Sequence, residues 1–449
     1  MIIMENYFYI ILIFILYLIL SVFVREKEGS WFSPASLMIL LWTFITGFSI
    51  FLAPDYYYSP LALIYIFSTL LTFYLGGNLF DLIVKDDTFL FLPMRKNTTI
   101  EINVKLMFLL VILGILTGFA TDLLLIMTNN IKFSELGSFD TYVNVASKLS
   151  AERFSGKALD SKVLIGLTMS YFFMLVTGMI FSFSKNKFLR AFCFTVLIPL
   201  LIFTILSTSR QVFLFGIIFF SSSYIAGKIY LKDYSMKLFT KINLKTVLVI
   251  SVLIPVLFIT TQTARMGGVS FSPEDLKNII HHLKPWFFGN LSGFSAWFDN
   301  TDFDVIPTFA KYTIGGIYEA LGFNIRKLGA FNEYFYINDL KEKTNIFTIF
   351  RCVIEDYTLL GSYLFFLAGG FVAKLFFFFT LRRKIIGIAG LSLLYSLIFW
   401  SFVISIIYYN SVIFSFALFL VFLFCISLIS KFRYESIRSN NIQYNKEES

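Results

Sequence analysis

The stretch 189–220, LRAFCFTVLIPLLIFTILSTSRQVFLFGIIFF, places an arginine between two long apolar runs. The runs are Leu189–Leu206 and Val212–Phe220, and the tetrad between them is Ser207-Thr-Ser-Arg210. An arginine at hydrocarbon depth costs about 2.5 kcal/mol or more, so ionisable residues in membrane segments are functional candidates by default. The pattern therefore predicts a membrane protein with a functional Arg210. The alternative is that Arg210 caps a short exposed turn between two helices.

The composition of the whole chain excludes a soluble globular protein. Of 449 residues, 57% are hydrophobic and 14% are charged, and the apolar residues fall in runs long enough to span a bilayer. The 58 Phe and 24 Tyr residues supply lipid-facing bulk and interfacial anchors. The three cysteines, Cys193, Cys352 and Cys425, lack metal-ligand spacing and imply no disulfide.

Eleven apolar runs approach the ~20 residues that cross a bilayer as a helix. They lie at 7–24, 35–53, 60–80, 106–127, 163–183, 190–206, 211–227, 246–263, 358–379, 386–407 and 411–430. We therefore expect an all-α polytopic membrane protein. Its parts are eight helices in 1–263, a large loop at 264–357, three helices in 358–430 and a tail at 431–449. The first run lacks a basic n-region and a cleavage site, so we expect it to be a retained helix.

The distribution of basic residues predicts the orientation of these helices. Alternate connections hold 21 of the 37 Lys and Arg residues, and they lie at 25–34, 81–105, 184–190, 228–245, 380–385 and after 430. The short connections 54–59 and 408–410 hold none. Because basic loops stay in the cytoplasm, the N-terminus is expected outside and the C-terminus inside. This distribution also explains the net charge of +9 without a nucleic-acid partner.

Two connections on the expected outer side, 128–162 and 264–357, are too long to be simple turns. The second holds nine basic and eleven acidic residues and both histidines of the chain. Loops of this length in compact proteins are usually functional. The chain also lacks the internal repeat expected of a transporter built from duplicated halves. These features predict a function at the outer face of the membrane.

A helix is predicted to begin at Pro273 in the large loop, with Ser272 as its cap. Its apolar stripe is formed by Leu276, Ile279, Ile280 and Leu283, and its other face by Lys277, His281 and Lys284. The aromatic cluster 285–288, PWFF, which includes Trp286, follows and suits the headgroup level. We expect this helix to lie on the outer leaflet or over a cavity mouth. The alternative is a surface helix with a solvated basic face.

Several further cations of the large loop are candidates for one anion-binding site with Arg210. They are Arg265, Lys311, Arg326, Lys327 and Arg351. Guanidinium groups suit phosphate and pyrophosphate, although each of these cations could instead be solvated. The acidic pair in 302–304, DFD, has no further ligand at the right spacing, so we expect no bound metal and no cofactor.

Three segments carry motifs in a fixed order. Residues 206–215, LSTSRQVFLF, open a helix with small polar residues and an arginine, and 286–299, WFFGNLSGFSAWFD, are rich in aromatic residues, Gly and Ser. Residues 344–348, TNIFT, and 355–361, EDYTLLG, introduce the next helix. Over about 190–380 this order resembles bacterial O-antigen and oligosaccharide repeat unit polymerases of the Wzy type. One departure is that no Arg is followed by Gly eleven positions later.

The resemblance implies a polymerase in the bacterial cytoplasmic membrane whose active site faces outward. Its partners would be undecaprenyl-pyrophosphate-linked oligosaccharides, membrane lipid and a chain-length regulator protein, with no nucleic acid. Arg210 would stabilise the leaving group, and His281 or Asp356 would be the base. The substrate-binding candidates are Arg265, Lys277, Lys284, Trp286, Arg326 and Arg351. The alternatives are a flippase or exporter of lipid-linked oligosaccharides, and a glycan ligase.

The predicted orientation can be tested with reporter fusions at Asn300 and Asp233. Asn300 lies in the large outer loop and Asp233 in a basic connection, so the two reporters are expected outside and inside respectively. The opposite pair of signals would reverse the orientation of every helix.

Overall fold

The computed structural model describes residues 2–84, 103–155, 159–232, 255–264, 273–303, 306–323, 331 and 333–447. In these ranges the chain is almost entirely helical, with one short hairpin of two strands. The helices are α1 (Ile2–Glu28), α2 (Pro34–Leu52), α3 (Pro60–Ile83), α4 (Val104–Thr128), α5 (Phe139–Phe154), α6 (Ser161–Phe183), α7 (Lys187–Cys193), α8 (Leu197–Ser207), α9 (Arg210–Tyr230), α10 (255–264), α11 (Pro273–Asp299), α12 (Gly315–Ala320), α13 (Ile349–Leu381), α14 (Ile385–Trp400) and α15 (Asn410–Glu447). The antiparallel strands are β1 (Phe335–Tyr336) and β2 (Lys343–Thr344).

Nine helical segments in the described ranges are long and apolar enough to cross a membrane. They coincide with nine of the eleven predicted runs, so the all-α membrane class is confirmed. Capping residues set several boundaries. For example, Ser33 and Ser59 each precede a proline at the first helical position and accept a hydrogen bond from the first turn. Of the predicted span 246–263, the part before residue 255 lies outside the described residues.

The predicted span 386–407 is wrong after residue 400, because α14 ends at Trp400. The apolar residues that follow stay largely buried without forming a continuous helix. Their polar groups find partners elsewhere: Ser401 O accepts from Ile349 N at 2.8 Å, and Ser405 Oγ donates to Thr313 O at 2.5 Å. Non-helical backbone that is buried in a membrane protein is tolerated where other segments satisfy it in this way.

Helix α13 is a helical hairpin that folds back at Thr358. Thr358 has φ 69° and ψ 174°, which breaks the helix into arms 349–357 and 359–381. The rings of Phe350 and Phe366 are 5.2 Å apart, and those of Tyr357 and Phe365 are 5.3 Å apart. A straight helix would separate Phe350 from Phe366 by about 24 Å. The first arm therefore lies beside the second, whereas 349–357 was expected to be loop.

Helix α11 begins at Pro273 as predicted but continues through Pro285 to Asp299. The aromatic cluster 285–288 is thus part of the helix, and residues 289–298 are buried. Gly289 and Gly293 allow the hairpin to pack closely, because a Cβ on Gly293 would lie 2.5 Å from Thr344 Cγ2. The opposite side of α11 packs on α2 and α3. The second half of α11 is therefore an internal element of the protein.

The long connections meet at one end of the bundle, here called the capped end. Among the described residues it comprises 53–59, 129–155, 159–160, 208–209, 255–264, 273–303, 306–323, 331, 333–348 and 401–409. Tyr57 N donates to Ile337 O at 2.7 Å, and Tyr142 OH donates to Ile205 O at 2.7 Å. At the opposite end, Lys374 Nζ binds Glu28 at 2.8 Å and Asp81 at 3.0 Å, which ties α13 to α1 and α3.

Helices α3 and α13 approach each other closely because glycines face the contact. A Cβ on Gly370 would lie 1.8 Å from Phe73 O, and a Cβ on Gly76 would lie 2.0 Å from Leu367 O. Small residues let membrane helices approach until their backbones touch, which is how such helices gain packing energy. This contact positions the hairpin of α13 in the bundle.

Gly370→Ala is expected to lower the free energy of unfolding by about 1–3 kcal/mol, because the new methyl group overpacks a backbone contact. The matched control is Gly369→Ala. A Cβ there would lie 3.6 Å from the Phe73 ring, an ordinary contact distance. The stabilities of the two variants are compared by thermal unfolding in the same detergent. Equal stability of the two variants would contradict the close approach at Gly370.

Candidate functional site

Arg210 is the first residue of α9 and is buried at the capped end, with 6% of its surface exposed. Its Nε donates to Thr261 Oγ1 at 2.9 Å and its Nη2 to Gln262 Oε1 at 2.5 Å. The guanidinium carbon lies 4.7 Å from the centre of the Phe258 ring. The sharp turn before it is made by Thr208, whose φ is 52°. Arg210 is therefore not the cap of an exposed turn, and α10 holds its side chain in place.

Phe258 connects Arg210 to α11. Its ring lies 4.5 Å from that of Trp286 and 4.8 Å from that of Phe287. Ile279 and Leu283 complete this apolar cluster. Two residues of the predicted apolar stripe, Ile279 and Leu283, thus pack against α10. The ring of Phe258 separates the predicted substrate-binding residue Trp286 from Arg210.

His281 and Lys284 lie one turn apart on α11 and each contacts a carboxylate from another segment. His281 Nδ1 is 2.9 Å from Glu342 Oε1, and Lys284 Nζ is 2.6 Å and 2.7 Å from the two oxygens of Asp55. Lys284 Nζ also lies 4.7 Å from the centre of the Tyr56 ring. Lys277, on the same face one turn earlier, is exposed.

The connection 53–59 carries ionisable groups whose pKa values respond to these contacts. Burial tends to raise the pKa of the Asp55 carboxyl, but the hydrogen bond and positive charge of Lys284 outweigh it and lower the pKa. Burial and the hydrogen bond to Asp299 raise the pKa of Tyr57 to about 12. Asp55 is therefore a stable anion near neutral pH, and Tyr57 is a neutral donor.

Arg351 lies on the first arm of α13 and is the most buried of the described candidate cations, at 2% exposure. Its Nε binds Glu355 at 2.9 Å and its Nη2 binds Glu333 at 2.7 Å. Three aromatic rings surround the guanidinium carbon, at 4.0 Å for Phe331, 4.2 Å for Phe347 and 5.0 Å for Trp297. Its buried Nη1 has no hydrogen-bond partner among the described residues.

Asp356, next to Glu355, is completely buried and accepts hydrogen bonds from the segment 308–313. The donors are Thr308 Oγ1 at 2.5 Å, Tyr312 N at 3.0 Å and Thr313 N at 2.7 Å. A carboxylate that is occupied in this way holds a segment in place. This geometry favours His281 over Asp356 as the base.

The predicted site residues fall into two groups along α11. Arg210, His281, Lys284 and Trp286 lie near the first half of the helix. Arg351 lies beside Trp297, which follows Trp286 by about 16 Å of helix. Two predicted residues, Arg265 and Arg326, lie outside the described residues, as do Lys327 and Asp304.

Sequence reasoning missed the carboxylate partners of these cations. Glu355 could have been found, because it follows Arg351 by four residues and such pairs face each other on a helix. Asp55, Glu333 and Glu342 approach their partners only through the fold, and no sequence spacing predicts them.

A cavity of about 220 Å³ opens at the capped end beside Ser209, the residue before Arg210. Its lining includes the carboxylates of Glu152 and Asp160, the amide of Asn129 and the ring of Phe203. Asp160 also caps α6 by accepting from Lys162 N at 2.8 Å. The cavity therefore offers acceptors, an amide and an apolar ring together.

No known protein family, curated protein or solved structure matches the chain. The resemblance to Wzy-type polymerases therefore stays a prediction. Within the described ranges, no three His, Cys, Asp or Glu side chains are grouped so that they could hold a metal ion.

Asp356→Asn is expected to loosen the segment 308–313. The asparagine amide has one oxygen, whereas the donors of this segment now share the two oxygens of the Asp356 carboxylate. Losing a hydrogen bond to a charged group costs about 1.5–3 kcal/mol. Hydrogen exchange at the amides of Tyr312 and Thr313 should rise about 10-fold or more. Asp302→Asn, at an exposed position, is the control and should leave these rates unchanged. Unchanged exchange in Asp356→Asn would show that the carboxylate does not hold the segment.

Proposed function

We propose that this protein polymerises oligosaccharide repeat units carried on a lipid pyrophosphate, at the outer face of a bacterial cytoplasmic membrane. A hydroxyl of one lipid-linked unit attacks the anomeric carbon of the growing chain. The bond from that carbon to the pyrophosphate oxygen breaks, and its electron pair leaves with the pyrophosphate. The hydroxyl proton passes to a base. Such a transfer needs stabilisation of the leaving charge and activation of the hydroxyl.

The surroundings of Arg351 are the observation that carries this proposal. A guanidinium that is 98% buried in a membrane protein is costly without partners or a task, and here Glu355, Glu333 and three aromatic rings hold it in place. Its Nη1 is a donor without a hydrogen-bond partner in the described part of the chain. Its partner Glu333 is 63% exposed, so an oxygen of the acceptor unit's own pyrophosphate, which lies one oligosaccharide away from the attacking hydroxyl, could displace this carboxylate. Charge-assisted bonds from a guanidinium fork suit such an oxygen.

The rest of the capped end supports the same chemistry. Arg210, near the same half of α11 as His281, supplies a second buried guanidinium for the leaving pyrophosphate, beside the aromatic cluster of Phe258 and Trp286. The cavity beside Ser209 offers carboxylates and an aromatic ring, groups that suit sugar hydroxyls and sugar faces. The lipid-exposed surface of the helices can accept a polyprenyl tail.

The proposal is tested by deleting the gene and sizing the surface glycan. A polymerase is required only for elongation, so the deletion should leave single repeat units on the cell surface. Loss of all surface glycan would instead indicate a flippase or a ligase and would contradict the proposal.

When that strain is complemented with Arg351→Lys, the rate of elongation is expected to be about 10- to 100-fold lower than with the wild type. Lysine keeps the charge but loses the planar fork, and a lost charge-assisted bond costs about 1.5–3 kcal/mol. The measurement is the rate at which long polymer appears, normalised to protein in the membrane. Arg190→Lys is the matched control, since Arg190 lies on α7 over the Phe181 ring at the opposite end. Equal loss in both variants would remove Arg351 from the site.

A further inference from the structure

We propose that Glu342 and His281 form the acid–base pair of this transfer, with His281 as the base and Glu342 as the residue that positions it. The proposal rests on the proposed function. Its structural basis is that His281 Nδ1 lies 2.9 Å from Glu342 Oε1. The histidine side chain is 56% exposed, whereas the carboxylate is only 8% exposed. The pair thus presents the imidazole to a ligand and keeps the carboxylate inside.

The carboxylate of Glu342 is fixed by its own hairpin turn. Asn338 Nδ2 donates to Glu342 Oε2 at 2.9 Å, and Asn338 Oδ1 accepts from Glu342 N at 3.0 Å. Ile337 N donates to Glu342 O at 2.8 Å, and Ile337 O accepts from Tyr57 N at 2.7 Å. These bonds hold Glu342 against α11 without help from a ligand.

This geometry determines which nitrogen of His281 can accept a proton. A neutral imidazole has one N–H, and a carboxylate accepts but does not donate when it is ionised. Glu342 therefore holds the proton on Nδ1, which leaves the lone pair on the outward Nε2. As the acceptor oxygen bonds to the anomeric carbon, Nε2 takes its proton. The resulting imidazolium is stabilised by the Glu342 carboxylate.

The other ionisable side chains near the pair are either paired with a carboxylate or exposed. Lys284, one turn further along α11, is neutralised by both oxygens of Asp55. Lys277 and His282 are exposed, and the ring of His282 lies 6.3 Å from that of His281. The contact with Glu342 thus distinguishes His281 from its neighbour in sequence.

The tautomer of His281 can be measured without any activity assay. The chain has two histidines, so His282→Gln leaves one imidazole signal in ¹⁵N-histidine-labelled full-length protein in nanodiscs. At alkaline pH, the ¹⁵N shifts should show the proton on Nδ1. Glu342→Gln should move it to Nε2. In this variant Asn338 Nδ2 should donate to the amide oxygen, so that the amide NH₂ faces His281 Nδ1 and donates to it. Asp339→Asn, at an exposed carboxylate of the same turn, should leave the tautomer unchanged.

The same variants are then assayed for elongation of purified lipid-linked repeat units. Glu342→Gln should be about 100-fold slower or more, the effect of losing a positioned base, while Asp339→Asn and His282→Gln match the wild type. A proton on Nε2 in the parent protein overturns the proposal, as does a reversed tautomer with an unchanged rate. If the wild type extends no lipid-linked unit, the proposed function fails, and the tautomer result then describes only the geometry of the pair.

Discussion

Every backbone N–H and C=O inside a bilayer must find a partner within the protein, and the structure depends on this constraint. Where the sequence permits, the partners are found within helices. Where a helix ends at depth, another segment must supply them, as Ile349 N does for Ser401 O. The side chain of Ser401 also accepts from Trp42 Nε1 at 3.0 Å. One junction of three chain segments thus satisfies the carbonyl and the hydroxyl oxygen of Ser401, the residue that follows α14.

The same constraint explains how far sequence predicts this fold. Nine apolar runs became helices near their predicted bounds, because a membrane-length apolar run that must satisfy its own backbone has no simpler conformation. Prediction failed where the backbone is satisfied by other segments. The run 386–407 was recognised as apolar, but apolar composition reports burial and does not report conformation. The break at Trp400, and the helical arm 349–357 that was expected to be loop, depend on contacts between distant segments.

The candidate site was predictable to the extent that its residues are rare in their surroundings. Arg210 and His281 were identified because charge and imidazole are scarce in this chain. Their partners come from α10 and from the hairpin, and no local sequence pattern predicts these contacts. Asp356 was predicted as the alternative base because it is an acid beside a predicted helix start. Its buried hydrogen bonds with the segment 308–313 show that it holds the chain in place.

The junction at Ser401 also has a consequence for biosynthesis. Ile349 is synthesised before its partner, and about fifty residues must follow before Ser401 can accept its N–H. Until then, the N–H of Ile349 lacks the partner that it has in the folded protein. The first arm of α13, which carries Arg351, therefore cannot complete this contact before the end of α14 has been synthesised.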